Sequence, residues 1–592
     1  MTRSTGPAAQ VDKALAWTVE HQDRSDMQKR GPTAGSGTHG VAPASVLIRG
    51  ARLIDGSGAP EHTADVVLAD GRVVDIARPA RRSSHETALE IDADGLVLAP
   101  GFIDAHSHAD SAPLMDESDA SKVSQGVTTE VVGNCGFSLA PSPADTRDGI
   151  RAMVGRIFPE LAFDWSTQEE LNVRLDTLGY VVNAVPLVGH HTLRAAAMGF
   201  GDCSPTETEL EDMKRHLRTG LEAGAFGLSS GLIYPPGMYA DVEELTQLTS
   251  VLEGRHVYAT HLRSEGRRLI EGVEEALAVA RSSGCRLQIS HLKAAGRDAW
   301  GRVAEVLALL DEATEQGIVV HHDVYPYDAN STMLVSCLPP WMQDGGYDDT
   351  IRRLHDPSAL SRAEREVADN VGGWDNWVAG SGWSRIRVAA TATHRHEGLT
   401  MVDAAAERGE TEFASLVGIL LENDLRATMN VFAMREDDVR LALRHPRAMI
   451  GSDGLPPGNG GKPHPRLFGT FSRVLGHYVR DVGLFTLPEA IARMTSLPAR
   501  TFGLTDRGLL RPGAAADVVL LDPDRVADRA TFLEPTQLSE GIELVFVNGH
   551  VAYEDQKVVQ RAGTRLEPHL PVAHAPDSRR PRSQSMSQRK PT

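Results

Sequence analysis

The sequence predicts an α/β fold: a (β/α)8 barrel with a small β-sandwich domain formed from N- and C-terminal segments. Three observations predict it. Through the middle of the chain short apolar runs alternate with longer helical patterns, the texture of βα units around a parallel sheet. On both sides of that region lie closely spaced β-rich runs broken by Gly and Asp. With 592 residues the chain exceeds one simple core, so one domain can be large enough for a barrel.

Composition narrows the class. Hydrophobic residues at 41% and charged residues at 24% are those of an ordinary soluble enzyme. Against 60 basic side chains stand 80 acidic ones, a net charge of -20, which argues against a nucleic-acid partner needing a basic face. Cys135, Cys203, Cys285 and Cys337 are too few and scattered for a disulfide framework and fit reduced thiols in a cytoplasm. No continuous apolar core marks residues 1–45, so neither a secretory signal nor a membrane span is expected. The sequence sets no oligomeric state.

Taken in order, residues 1–45 read as a flexible Gly/Ser/Thr/Pro extension in which Val11–His21 can form a helical turn or two. Residues 46–97 form the first part of the small β domain, through Val46–Ile48, Ala51–Gly56, Ala64–Leu68 and Arg72–Ile76. The barrel spans 98–505. Its strands are expected at Leu98–His106, Val127–Gly133, Tyr180–Gly189, Ala225–Ser229, Val257–Leu262, Arg286–His291, Ile318–Tyr325 and Ala448–Asp453. The stretch between the last two is too long for one connection, so an insertion is expected within about 332–445, holding the apolar runs Ile386–Ala390 and Met429–Phe432. The second part of the β domain covers 506–565, with runs at Ala516–Asp522 and Leu544–Gly549, and a Pro-, Ser- and Arg-rich flexible tail fills 566–592.

The chemistry gathers where these strands end. His106 and His108 sit two apart at the end of the first, so strand alternation would point both the same way as a metal half-site. At or just past other strand ends come Cys135, His190, His261, His291, Tyr325, Tyr327 and Asp453. In a (β/α)8 barrel that face carries the active site. Thiolate and imidazole with a carboxylate is the donor set zinc prefers. Cys135 lies on an open turn between Asn134 and Gly136.

Several stretches carry a resemblance: Gly101-Phe-Ile-Asp-Ala-His-Ser-His108, Gln125 to Pro141 with Asn134-Cys-Gly-Phe-Ser138, and Gly227 to Gly237. So do Ile289-Ser-His-Leu-Lys-Ala-Ala-Gly296, Asp323 to Thr332, and His464-Pro-Arg466 onward. Over roughly residues 46–565 the chain resembles the N-acyl-D-amino-acid deacylases (D-aminoacylases) of the amidohydrolase superfamily. The resemblance implies a metal-dependent hydrolase barrel and an amidase acting on small N-acyl-D-amino acids, releasing a carboxylate and a free D-amino acid. It implies one tight zinc held by Cys135, His261 and His291. A second, weaker position would use His106, His108 and Asp453, with Cys135 able to bridge. Asp453 is the implied general base, taking a proton from metal-bound water, whose pKa zinc lowers to about 7, and passing it to the leaving amine. Lys293, Arg466, Tyr325 and Ser331 are implied to meet the substrate carboxylate and Tyr234 to wall the pocket. His190-His191 reads as a supporting or capping pair. Ser264 and Asn330 depart from the family pattern, which more often has Asp and Gly there.

Two other readings compete. A hydantoinase-like hydrolase of cyclic amides or ureides would be expected to bridge its metals with a lysine, where this chain has Cys135. A catalytically silent scaffold would have lost donors, yet His106, His108, Cys135, His261, His291 and Asp453 are all present.

Overall fold

Val97–Pro100 and Phe102–Asp104 are one apolar run in the sequence but two strands in the structure, a computed structural model that describes residues 45–78, 89–115, 119–456 and 460–568. Gly101 is the joint. A Cβ at this position would collide with the Thr128 side chain, and the Gly101 N–H donates to the Asp517 carbonyl at 2.8 Å. Before the joint the chain pairs in parallel with Ser45–Leu53 and antiparallel with Val518–Leu521. After it, the chain pairs in parallel with Val127–Val132. The single strand expected over Leu98–His106 is thereby corrected: residues 98–100 belong to the sheet of the chain ends, and His106 and His108 lie beyond the barrel strand. An unbroken apolar run cannot reveal a change of partner. The N-terminal extension, Val11–His21 and the tail beyond 568 lie outside the described residues.

The sheet of the chain ends has nine strands drawn from 45–100 and 518–558. Its core takes Val46, Ile48, Ala51 and Leu53 from the first strand, an alternation that jumps by one between 48 and 51. A register shift at that point explains the jump, because one extra residue in a strand returns the following side chains to the same face. Leu510, Val518, Leu520 and Phe546 from the distal segment complete the same cluster.

In the barrel, Ala448–Ile450, Val320–Val324, Arg286–Ile289, Val257–His261, Gly227–Gly231 and Val188–Gly189 are hydrogen-bonded in parallel in that order. Phe102–Asp104, Val127–Val132 and Asn183–Pro186 form a second parallel set. Only Leu187 separates the strands that end one set and begin the other, and the Ala105 N–H donates to the Ile450 carbonyl at 3.2 Å where the ring closes. Ile103, Val131, Val185, Phe226, Val257, Ala259 and Met449 pack within it against Ala499, Phe502 and Leu504. The last described segment leaves the terminal sheet and runs beside the barrel, with Gly563 bonded to Tyr180 and Arg565 bridged to Ala184.

Between the seventh and eighth barrel strands, Asn330–Met333, Ala427–Val431 and Ile386–Thr391 form a three-stranded antiparallel sheet. Five helices accompany it, Tyr347–Leu354, Pro357–Asp369, Trp377–Ser381, Met401–Arg408 and Glu412–Glu422. Its apolar face shares a core with Phe137, Phe158 and Trp165 from the connection after the second strand. Among the described residues no helix is long and apolar enough to cross a membrane, and the four cysteines are free thiols.

Candidate metal centre

Six side chains converge at the C-terminal mouth of the barrel. His106, His108, Cys135 and Asp453 form one cluster and Cys135, His261 and His291 another, with the donor atoms of each within 4.8 Å of one another. The Cys135 Sγ lies 3.3 Å from His106 Nε2, 3.2 Å from His291 Nε2 and 3.8 Å from His261 Nδ1. Asp453 Oδ1 is 3.5 Å from His106 Nε2 and 3.3 Å from His108 Nε2. His261 is the last residue of its strand, whereas Cys135, His291 and Asp453 follow theirs with φ of 52°, 35° and 49°. Non-glycine residues seldom adopt that region, and when they do it is often at functional sites. Each of the three turns its side chain back over the strand ends in this way. His106 and His108 are likewise brought in by a bend after the strand, not by strand alternation as the sequence suggested.

The donor chemistry fits a metal. Burial alone would raise the Cys135 thiol, but the neighbouring His106 and His291 hold it well below its usual value. Asp453 is likewise held well below the carboxylate range, Arg466 and the histidines outweighing burial. Burial alone would lower His106, yet the carboxylate of Asp323 and the thiol of Cys135 raise it well above the usual imidazole value. A buried thiolate and carboxylate that draw protons onto adjacent imidazoles would draw a divalent cation in their place, with the imidazoles neutral.

Behind the donors sits a layer that sequence reasoning missed. Glu265 approaches two of these imidazoles at once, Oε1 at 3.1 Å from His291 Nδ1 and Oε2 at 3.5 Å from His261 Nε2. Despite burial, His261, Lys293 and His291 bring its carboxyl down to about 2. Asp323 does the same for His106, at 3.4 Å from Nδ1, while accepting from the His291 N–H at 2.9 Å and Gln288 Nε2 at 2.5 Å. Asp104 ties the first and last strands together by accepting from the Ser452 N–H at 2.8 Å, and Lys122 lies 3.0 Å from its other oxygen. Each was a buried acid at a strand end or four residues past a ligand, a signal visible in Thr260–Glu265 and His322-Asp323. Carboxylates that orient ligand imidazoles typically carry part of the metal affinity. Glu265→Gln should therefore weaken zinc binding about 10- to 100-fold in a chelator competition, whereas an unchanged affinity would reduce Glu265 to a partner of Lys293.

Most of the remaining expected residues surround a cavity beside the donor clusters. Lys293, Tyr325, Ser331 and Tyr234 line it, together with His108, Cys135, His261, His291 and Asp453. Lys293 Nζ is already engaged, 2.5 Å from Glu265 Oε1 and 2.8 Å from His291 Nδ1. Ser331 Oγ donates to the Met429 carbonyl at 2.9 Å, and Tyr234 shares a 2.7 Å bond with Thr332. Arg466 lies behind the wall, 1% exposed. Its Nη1 is 2.8 Å from Asp453 Oδ2 and its guanidinium lies 4.7 Å from the centre of the Tyr325 ring, so in this structure it is the counter-ion of Asp453. His190 Nε2 meets Glu244 at 2.7 Å and His191 Nε2 meets the Gly231 carbonyl at 2.9 Å, placing both outside the donor clusters. Ser264, one of the unusual positions, donates to Asp375 of the insertion at 2.6 Å. Asn330 lines the cavity.

Barrel, donor clusters and carboxylate together define a metal-dependent hydrolase. Residues 89–253 and 412–553 match the amidohydrolase family. The chain is 37% identical over 540 residues to the N-acyl-D-glutamate deacylase of Alcaligenes xylosoxydans xylosoxydans, covering 90% of this chain and 98% of that one. It is 36% identical over 536 residues to the D-aminoacylase of the same organism, covering 88% and 98%. It also superposes on the N-acyl-D-glutamate deacylase from Bordetella bronchiseptica, solved with zinc and a phosphonate mimic of the tetrahedral intermediate, with a TM-score of 0.76 and 38% identity over 88% of this chain and 99% of that one. The chain belongs to the amidohydrolase family, within its N-acyl-D-amino-acid deacylases.

Proposed function

We propose that this chain hydrolyses N-acyl-D-amino acids to a carboxylate and a free D-amino acid, with zinc held first by Cys135, His261 and His291. The observation that carries the reading is the sharing of the Cys135 sulfur between two donor clusters, one of which contains Asp453. Zinc in such a site supplies Lewis-acid polarisation of the amide carbonyl and acidifies water enough to serve as nucleophile near neutral pH. The second cluster, His106, His108 and Asp453 with the same sulfur, offers a further, weaker position.

The chain's own groups do the rest. Asp453, ionised by its surroundings, accepts a proton from the attacking water on a carboxylate oxygen and returns it to the departing amine nitrogen. Arg466 holds the carboxylate in place through Oδ2, leaving Oδ1 toward the histidines. We place the substrate carboxylate beside Tyr325, where Lys293 and Arg466 lie 5.6 Å and 4.7 Å from the ring centre. Tyr234 walls the cavity beside His261, ring to ring at 5.1 Å. A hydantoinase-like reaction is disfavoured by Cys135 at the shared position.

Zinc-loaded enzyme given matched N-acetyl-D- and N-acetyl-L-amino acids should release amine, read with ninhydrin, from the D series only. Equal release from both, or none from either by protein that contains zinc, would overturn the assignment.

A further inference from the structure

The family name does not say which D-side chain the cavity takes, since relatives that differ in it match this chain almost equally, at 37% and 36% identity. The charges of the cavity do. An N-acyl-D-amino acid brings one carboxylate of its own, and an acidic side chain would bring a second. Among the described residues the one Lys or Arg lining the cavity is Lys293, and it is bonded to Glu265. Arg466, behind the wall, is paired with Asp453 and faces the same Tyr325 ring as Lys293. Both cations thus serve a single locus, enough for one carboxylate.

Apart from the donor residues, Glu265 and Lys293, the wall carries no ionisable acid or base that could pair with a second carboxylate, and its two acids, Glu265 and Asp453, would repel one. Phe137, Ile157, Met333, Trp377 and Leu455 line it with apolar surface. Two further wall residues, Ser331 and Thr332, have their hydroxyls bonded to Met429 and Tyr234, and Asn330 adds a neutral amide. Burying a carboxylate against such a surface without a counter-ion is costly, whereas a neutral apolar side chain gains from it.

Resting on the deacylase reading, we infer that this enzyme is selective for N-acyl-D-amino acids with neutral, apolar side chains of the leucine or methionine kind, and discriminates against the acidic D-aspartate and D-glutamate derivatives. Trp377 reaches this wall from the insertion. It begins the helix Trp377–Ser381, and Asp375 two residues earlier accepts from the Glu265 N–H at 2.7 Å and from Ser264, fastening that segment to the loop beside His261. The wall is therefore built into the fold.

The test compares kcat/KM of the zinc-loaded enzyme for N-acetyl-D-leucine, N-acetyl-D-glutamine and N-acetyl-D-glutamate at pH 7. Glutamine and glutamate are nearly isosteric, so their ratio isolates charge. Leucine is expected to exceed glutamine, and glutamine to exceed glutamate by at least about tenfold, the scale on which an unpaired buried charge is felt. Glutamate turned over as well as glutamine, or better, would overturn the selectivity and leave the deacylase reading standing. Failure of all three, and of the other N-acetyl-D-amino acids, would overturn the deacylase reading and the selectivity with it.

Discussion

Asp453→Asn is expected to lower kcat by about a hundred- to ten-thousandfold, the range that a positioned proton carrier contributes, while zinc remains bound. Asparagine keeps the shape but cannot accept and return the proton. The cluster of Cys135, His261 and His291 does not include Asp453, so metal analysis of the variant should still find zinc. Arg466 would lose its counter-ion in a buried place, so the melting temperature belongs beside the kinetics. A folded, zinc-loaded variant with near-normal kcat would remove Asp453 as the proton carrier.

The second large effect is expected at Cys135. Its sulfur is the donor common to both clusters, so Cys135→Ala should lose bound zinc and activity together. The drop in affinity should exceed the 10- to 100-fold typical of an orienting partner, because a ligand itself is gone. Alanine keeps the Cβ, so both proteins bear the same strain from the left-handed backbone at φ 52° and the sulfur is the difference between them. Zinc retained at wild-type affinity after dialysis against a chelator would show that the thiolate is not a ligand.

Much of this centre was legible because its donors stand at the ends of apolar runs. His106, His108, Cys135, His261, His291 and Asp453 could each be read from that pattern, and the long interval between the last two barrel strands announced the insertion. What was not legible is pairing. Leu98–His106 reads as one strand, since alternation says which residues are buried and nothing about which strand they lie against. Glu265 facing both His261 and His291, Lys293 bound to Glu265, and Arg466 held by Asp453 are side-chain matches, and a sequence lists charges without matching them. The same limit hid the pairing of Arg466 with Asp453, because the sequence offered Arg466 only as a group for the substrate carboxylate.

Gly101, where one run passes from the sheet of the chain ends into the barrel, bears on how the protein comes to exist. Val97–Pro100, which leads directly to the first two histidines, is paired with Val518–Leu521, and Asp104 beyond it holds the backbone of Ser452. A nascent chain therefore carries His106 and His108 long before it has the strands that fix their position. The place of the early histidines thus depends on contacts with segments that come hundreds of residues later in the chain.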